Sequence, residues 1–306
     1  MNEVGVKVMT GKVGRYLLSN HYRALPITLL CALSSFFLLP GLLVASIIIT
    51  LFTLERGYKA GGELLFCVIF PFSIIMVWQH VSVIFILFFV VRYIFNWLLA
   101  GVYRKYRSWL LNLELMSLIG IFVILCLHLY FGNINAYWHS FIEQRIQLID
   151  FFSNSASSNE IKSQVSSYAA MGTGLALVFV FLDCCFQILV ASFWQRKIHG
   201  VEPSSQKDII KMGSIFAVLL SLVVIGKIFG FSVASDCLPV ILFPFIISGF
   251  SLLHFYASKN KRIKIALLVL YSTLIFGFPW LLLLPAALSY LNSFMSGQFY
   301  KTQHID

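Results

Sequence analysis

From Ala24 to Leu54 the chain runs for about thirty residues without a charged side chain, broken near the middle by Pro40-Gly41. A straight helix of that length would measure about 45 Å at 1.5 Å per residue, against a hydrocarbon core of about 30 Å. Proline lacks the amide hydrogen that continues a helix, and glycine accepts the reversed backbone of a tight turn, so Pro40 is the expected pivot. One kinked span would leave Arg23 and Arg56 on opposite sides of a membrane. A hairpin of two short helices would leave both on the same side.

The loops favour the hairpin. With it, spans at about 25–39, 41–54, 64–79, 82–101, 109–131, 169–194, 212–231, 237–257 and 265–281 collect the basic clusters on one face. Those clusters are Lys7 to Arg23, Arg104 to Arg107, Arg196 to Lys211 and Lys259 to Lys264. The other face receives Gln79-His80, the segment 132–168 and a short turn from Ser232 to Asp236. Short positively charged loops stay in the cytoplasm, so the expected orientation has a cytoplasmic N-terminus. The expected fold is all-α: a polytopic transmembrane helix bundle of about 8–10 membrane segments, including short helical hairpins. Residues 1–23 read as a basic lead and an uncleaved entry to the first span, and 24–306 as a single transmembrane domain.

Composition narrows the partners. With 59% hydrophobic and 11% charged residues, the formal charge of +10 belongs to loops lying beside anionic headgroups of the lipid bilayer. No basic run is interleaved with aromatics on a foldable module, which argues against nucleic acid. The six cysteines lie in or beside apolar spans, form no C-x-x-C and have no histidine at metal spacing, so they read as packing residues, Cys184-Cys185 included. No metal or cofactor is expected. Within 132–168, Trp138, Phe141, Ile142, Ile146, Ile149 and Phe152 recur at helical spacing, the pattern of an amphipathic helix on a membrane surface or over a cavity mouth. Asn154 to Asn159 reads as a serine-rich linker, and 195–211 as an inner loop.

Charges inside apolar spans are costly and mark candidate sites. Arg92 and Asp183 fall at similar depth with opposite sign, and Asn96 and Gln187 lie one helical turn further along each span. Two readings are open: a buried bridge that fixes helix register, or a site that binds an ionic small molecule or moves a proton. Asn112 and Glu114 are expected to be solvated near Arg104 to Arg107, Lys227 to snorkel from a helix end, and His254 to sit at an interface beside Tyr256. Small residues four apart, Gly41/Ala45, Ala170/Gly174 and Gly226/Gly230, suggest close helix packing. No nucleotide-binding loop, H-E-x-x-H, G-x-S-x-G or paired histidine and carboxylate cluster is legible, so no catalytic site is expected.

Several short motifs occur in a fixed order. They are the early hairpin, Gly57-Tyr58-Lys59-Ala60-Gly61, the outer amphipathic segment, Phe193-Trp194-Gln195-Arg196-Lys197, and Gly249-Phe250-Ser251-Leu252-Leu253-His254 before a basic loop. In this order the chain resembles the YybS-like bacterial membrane proteins, a family of unknown function. It departs from the family ending, with Asn292 where an aspartate is usual and Lys301 near the usual terminal arginine. The resemblance implies a fold similar to the substrate-capture subunits of energy-coupling-factor vitamin transporters, which rely on separate ATPase subunits. Those subunits often dock through Ala-x-x-x-Ala; here Ala32 is followed at that spacing by Phe36. The implied function is a small-molecule binding or uptake component; the alternative is a non-transporting scaffold for other membrane proteins.

Overall fold

The computed structural model describes residues 14–18, 21–35, 41–153, 165–166, 168–200, 210–275 and 279–295. Pro40, the linker Asn154 to Asn159, Pro203 to Ser205 and Lys301 lie outside them, as do the side chains of Ile146, Ile149 and Phe152. Among the described residues the secondary structure is helical. The helices are α1 (His21–Ser34), α2 (Gly41–Arg56), α3 (Tyr58–Trp78), α4 (Val83–Tyr106), α5 (Trp109–Phe131), α6 (Ile134–Ser153), α7 (Gly172–His199), α8 (Ser214–Ile228), α9 (Ser232–Lys259), α10 (Lys261–Ile275) and α11 (Leu283–Met295). A single 3-10 turn, Pro279–Leu282, precedes α11.

Five helices, α3, α4, α5, α7 and α9, are long and apolar enough to cross a membrane. Large apolar side chains stand outward along them, Phe122 at 67%, Phe179 at 72% and Leu129 at 86% exposure. Water would penalise that surface and hydrocarbon accepts it, so the chain is a helical membrane protein. By contrast α1, α2, α8, α10 and α11 have 14, 16, 15, 15 and 13 residues. At 1.5 Å per residue they reach roughly 20–24 Å, short of a full crossing. The span read at 265–281 therefore ends at Ile275, ahead of the 3-10 turn at Pro279.

The chain forms two compact units, one of residues 1–112 and 180–206, the other of 113–179 and 207–306. In the first, α2 is the core element, with ten buried residues from Gly41 to Leu54. It runs antiparallel to α1. Gly41 lies against the Cys31 carbonyl and Ser34 hydroxyl at one end, and Arg56 donates to the Leu18 carbonyl at the other. That geometry is the hairpin, with both of its ends on one side. The glycines and near-cancelling charges from Thr53 to Gly62 read in the sequence as a turn following the hairpin, and the structure has a single break at Gly57 in its place. Its φ of 102° is open to glycine and strained for any other residue, and the chain re-enters a helix at Tyr58. A one-residue break suffices because Gly61 then packs directly on the Thr53 side chain.

In the second unit α9 is central and packs against α8, α10 and α11. It carries Pro239 and Pro244 yet continues to Lys259. Pro244 removes the amide that would have bonded the Val240 carbonyl, and the Ser117 hydroxyl stands 3.3 Å from that carbonyl while sharing its proton with the Leu113 carbonyl at 3.0 Å. Gly249 meets the Pro285 backbone of α11, and Gly174 meets the Asp236 backbone, so both are sites of close approach. Gly230 is different: it ends α8 with φ 81° and has open space around it. The turn expected at Ser232 to Asp236 is also corrected, since Ser232 already begins α9 and Asp236 stands one turn inside it.

Candidate functional site

Three helices of the first unit each contribute two polar residues four positions apart, which places each pair on one helix face. They are Ser46 and Thr50 on α2, Arg92 and Asn96 on α4, and Asp183 and Gln187 on α7. Arg92 approaches Asp183 side-on, with Nη2 at 2.5 Å and Nε at 2.7 Å from the same oxygen, Oδ2. Gln187 Nε2 donates to that oxygen too, at 2.8 Å. Its other end, Oε1, accepts from Asn96 Nδ2 at 2.6 Å and from the Ser46 hydroxyl. Asn96 Nδ2 also lies 2.8 Å from Thr50 Oγ1, whose proton goes to the Ser46 carbonyl.

The layer is closed at one edge and open at the other. Ser46, Thr50, Asn96 and Gln187 are buried, whereas the Arg92 and Asp183 side chains keep 19% and 21% of their surface. Tyr93 seals the flank, its hydroxyl donating to the Leu42 carbonyl at 2.8 Å beneath the Arg92 guanidinium. Two acceptors of this layer find no donor among the described residues. All three donors to Asp183 converge on Oδ2, which leaves Oδ1 without one, and Asn96 Oδ1 is buried with no partner. A buried unfilled acceptor such as Asn96 Oδ1 costs roughly 1–3 kcal/mol, whereas Asp183 Oδ1 belongs to a side chain at the open edge.

No protein-family model, curated protein or solved structure matches the chain. The reading of the site therefore rests on its own geometry.

The remaining candidates fall elsewhere. Asn112, expected to be solvated, is fully buried; its amide reaches the Leu99 carbonyl at 3.4 Å, while Arg104 and Arg107 bond Thr53 and Gln195. Glu114 is half-buried on α5. Lys227 is exposed near the end of α8, 3.8 Å from the Met171 sulfur. His254 bonds the Phe250 carbonyl at 2.8 Å and faces Tyr271, not Tyr256. Cys184 and Cys185 are both buried, and Trp138 donates to the Thr173 hydroxyl at 2.9 Å.

The sequence offers no legible cluster of histidine and carboxylate, yet the fold brings one such pair together. In the second unit His128 Nε2 lies 2.9 Å from Asp236 Oδ2, with the two side chains 7% and 0% exposed. The backbone amides of Thr173 and Gly174 donate to Oδ1 of the same carboxylate at 3.1 and 3.3 Å. Asp236 thus fills the first-turn donors of α7 from a different helix. The polar run Ser232 to Asp236 resembles a turn, and that hid a buried acid; its one visible signal is the unbroken apolar sequence that follows.

Proposed function

We propose that this protein is a multi-pass bacterial inner-membrane component that binds a small molecule for uptake, with the Arg92–Asp183 layer as its binding site. The observation that carries the reading is the open edge of the pair. A charge facing hydrocarbon is heavily penalised, so a pair left one-fifth exposed within apolar helices fits a polar occupant better than lipid. That occupant carries at least one hydrogen-bond donor, to serve Asp183 Oδ1. The resemblance of the sequence motifs to YybS-like proteins, which would imply a capture-subunit fold, agrees with this reading and would bring separate ATPase subunits as partners. Loop charge supports a cytoplasmic N-terminus.

The alternative is a scaffold in which a helix of another membrane protein covers the pair. The filled lower layer of Ser46, Thr50, Asn96 and Gln187 favours it. A double-mutant cycle on unfolding temperature in detergent separates the two, using Arg92→Met, Asp183→Leu and both together. Each single change is expected to cost about 3–5 kcal/mol, because it strands the partner's charge, and the double variant to recover most of that loss. With a binding site, a pool of small polar metabolites stabilises the wild type and leaves the stable double variant unmoved. Equal responses in both proteins would remove the binding reading, and strictly additive single effects would remove the coupled pair altogether.

A further inference from the structure

The C-terminal ends of α2, α4 and α7 enclose a cleft of about 420 Å³ lined by Leu54, Glu55, Arg104, Arg107, Gln195, Arg196 and His199. It lies roughly 18 Å along α4 from Arg92, as judged by helical rise, and takes no part in the layer described above. Three guanidiniums share this lining with a single carboxylate, and that carboxylate is turned away from all of them. Glu55 Oε2 accepts from Gln195 Nε2 at 2.7 Å, and Glu55 Oε1 lies 2.8 Å from His199 Nε2. Gln195 is only 8% exposed and acts as the fixed strut of the wall, since its Oε1 also accepts from Arg107 Nη1 at 3.3 Å. Arg104 is held against Gly57 and donates to the Thr53 carbonyl at 3.3 Å.

Basic residues at helix C-termini ordinarily offset the negative end of the helix dipole. Here some of the carbonyls that carry that partial charge are bonded by other donors. Thr53 accepts from the Gly57 amide, Tyr103 from the Arg107 amide and Leu54 from Gln195. Arg107 and Arg196 remain exposed at the cleft.

We propose that the cleft binds a phosphate group. Three guanidiniums that line one cleft, with no carboxylate in ion-pair contact among the described residues, suit a tetrahedral dianion, whose oxygens take several charge-assisted bonds at once. The volume admits a phosphate together with a group the size of a glycerol or a sugar. That chemistry is shared by a lipid headgroup and a soluble phosphate ester.

The test uses the full chain in a neutral maltoside detergent, titrated separately with inorganic pyrophosphate and with short-chain phosphatidic acid. Sodium chloride at matched ionic strength is the control, and unfolding temperature and native mass are the readouts. At least one phosphate probe is expected to bind and stabilise. Arg196→Gln, at an exposed position, should weaken it by about tenfold, the worth of one charge-assisted bond. Lys105→Gln should leave affinity unchanged, because the Lys105 amine lies over the Tyr106 ring outside the lining. Response to pyrophosphate alone assigns a soluble ester, to phosphatidic acid alone a headgroup, and to both a site for either; each supports the proposal. Binding of neither probe, an unaffected Arg196→Gln variant, or equal weakening by Lys105→Gln overturns it.

Discussion

Asp236 shows most directly how single atoms hold this protein together. Its carboxylate serves an imidazole and two backbone amides in a site that admits no water to its own side chain. Asp236→Ala leaves three donors stranded and is expected to cost about 3–5 kcal/mol, whereas Asp236→Asn keeps an acceptor for the α7 amides and should cost about 1–3 kcal/mol. Thermal unfolding of both variants in detergent checks the ranking. A smaller loss for the alanine variant would mean that the carboxylate does not cap α7. Arg92, Asp183, Asn96 and Gln187 stand out in the sequence because a charge or amide inside an apolar run has few innocent explanations. Ser46 and Thr50, which complete the same layer, do not stand out: a helix interior hides a hydroxyl by bonding it to its own preceding turn, as Thr50 does with the Ser46 carbonyl.

Among the elements, α2 and α3 meet at the sharpest joint in the first unit. Gly57, at φ 102° and ψ −177°, occupies backbone space that a side chain makes costly, and the Arg104 guanidinium fills the place where a Cβ would sit. Gly57→Ala is expected to lower stability by about 1–3 kcal/mol from backbone strain, with a further loss from displacing Arg104. Urea or thermal titration of the variant beside Gly62→Ala, which changes a helical glycine next to Trp97, measures the difference. Equal effects at the two positions would argue against strain at the joint. The sequence shows the apolar runs and the Pro40-Gly41 break, so most helices are legible to within a few residues. Their ends are less so. Composition places Thr53 to Gly62 in a turn because it collects glycines and charges, while the structure needs one glycine and spends the rest on helix.

For the molecule as a whole, orientation follows from where the proposed reading puts its charge. With that reading Lys105, beside the basic cleft, is expected on the cytoplasmic side, and His80, in the turn between α3 and α4, on the outer side. Single-cysteine variants in a cysteine-free background, exposed in intact cells to an impermeant maleimide, should label at position 80 and stay unlabelled at 105; the reverse pattern inverts the topology. The bond from Asp236 to the start of α7 also sets an order in time. The Thr173 amide and the carboxylate that fills it are separated by 63 residues. At about 5–20 residues per second, the ribosome delivers the first turn of α7 roughly 3–13 seconds before its cap exists. During that interval the first turn of α7 depends on water or on the insertion machinery, and α7 becomes a finished element only when α9 arrives.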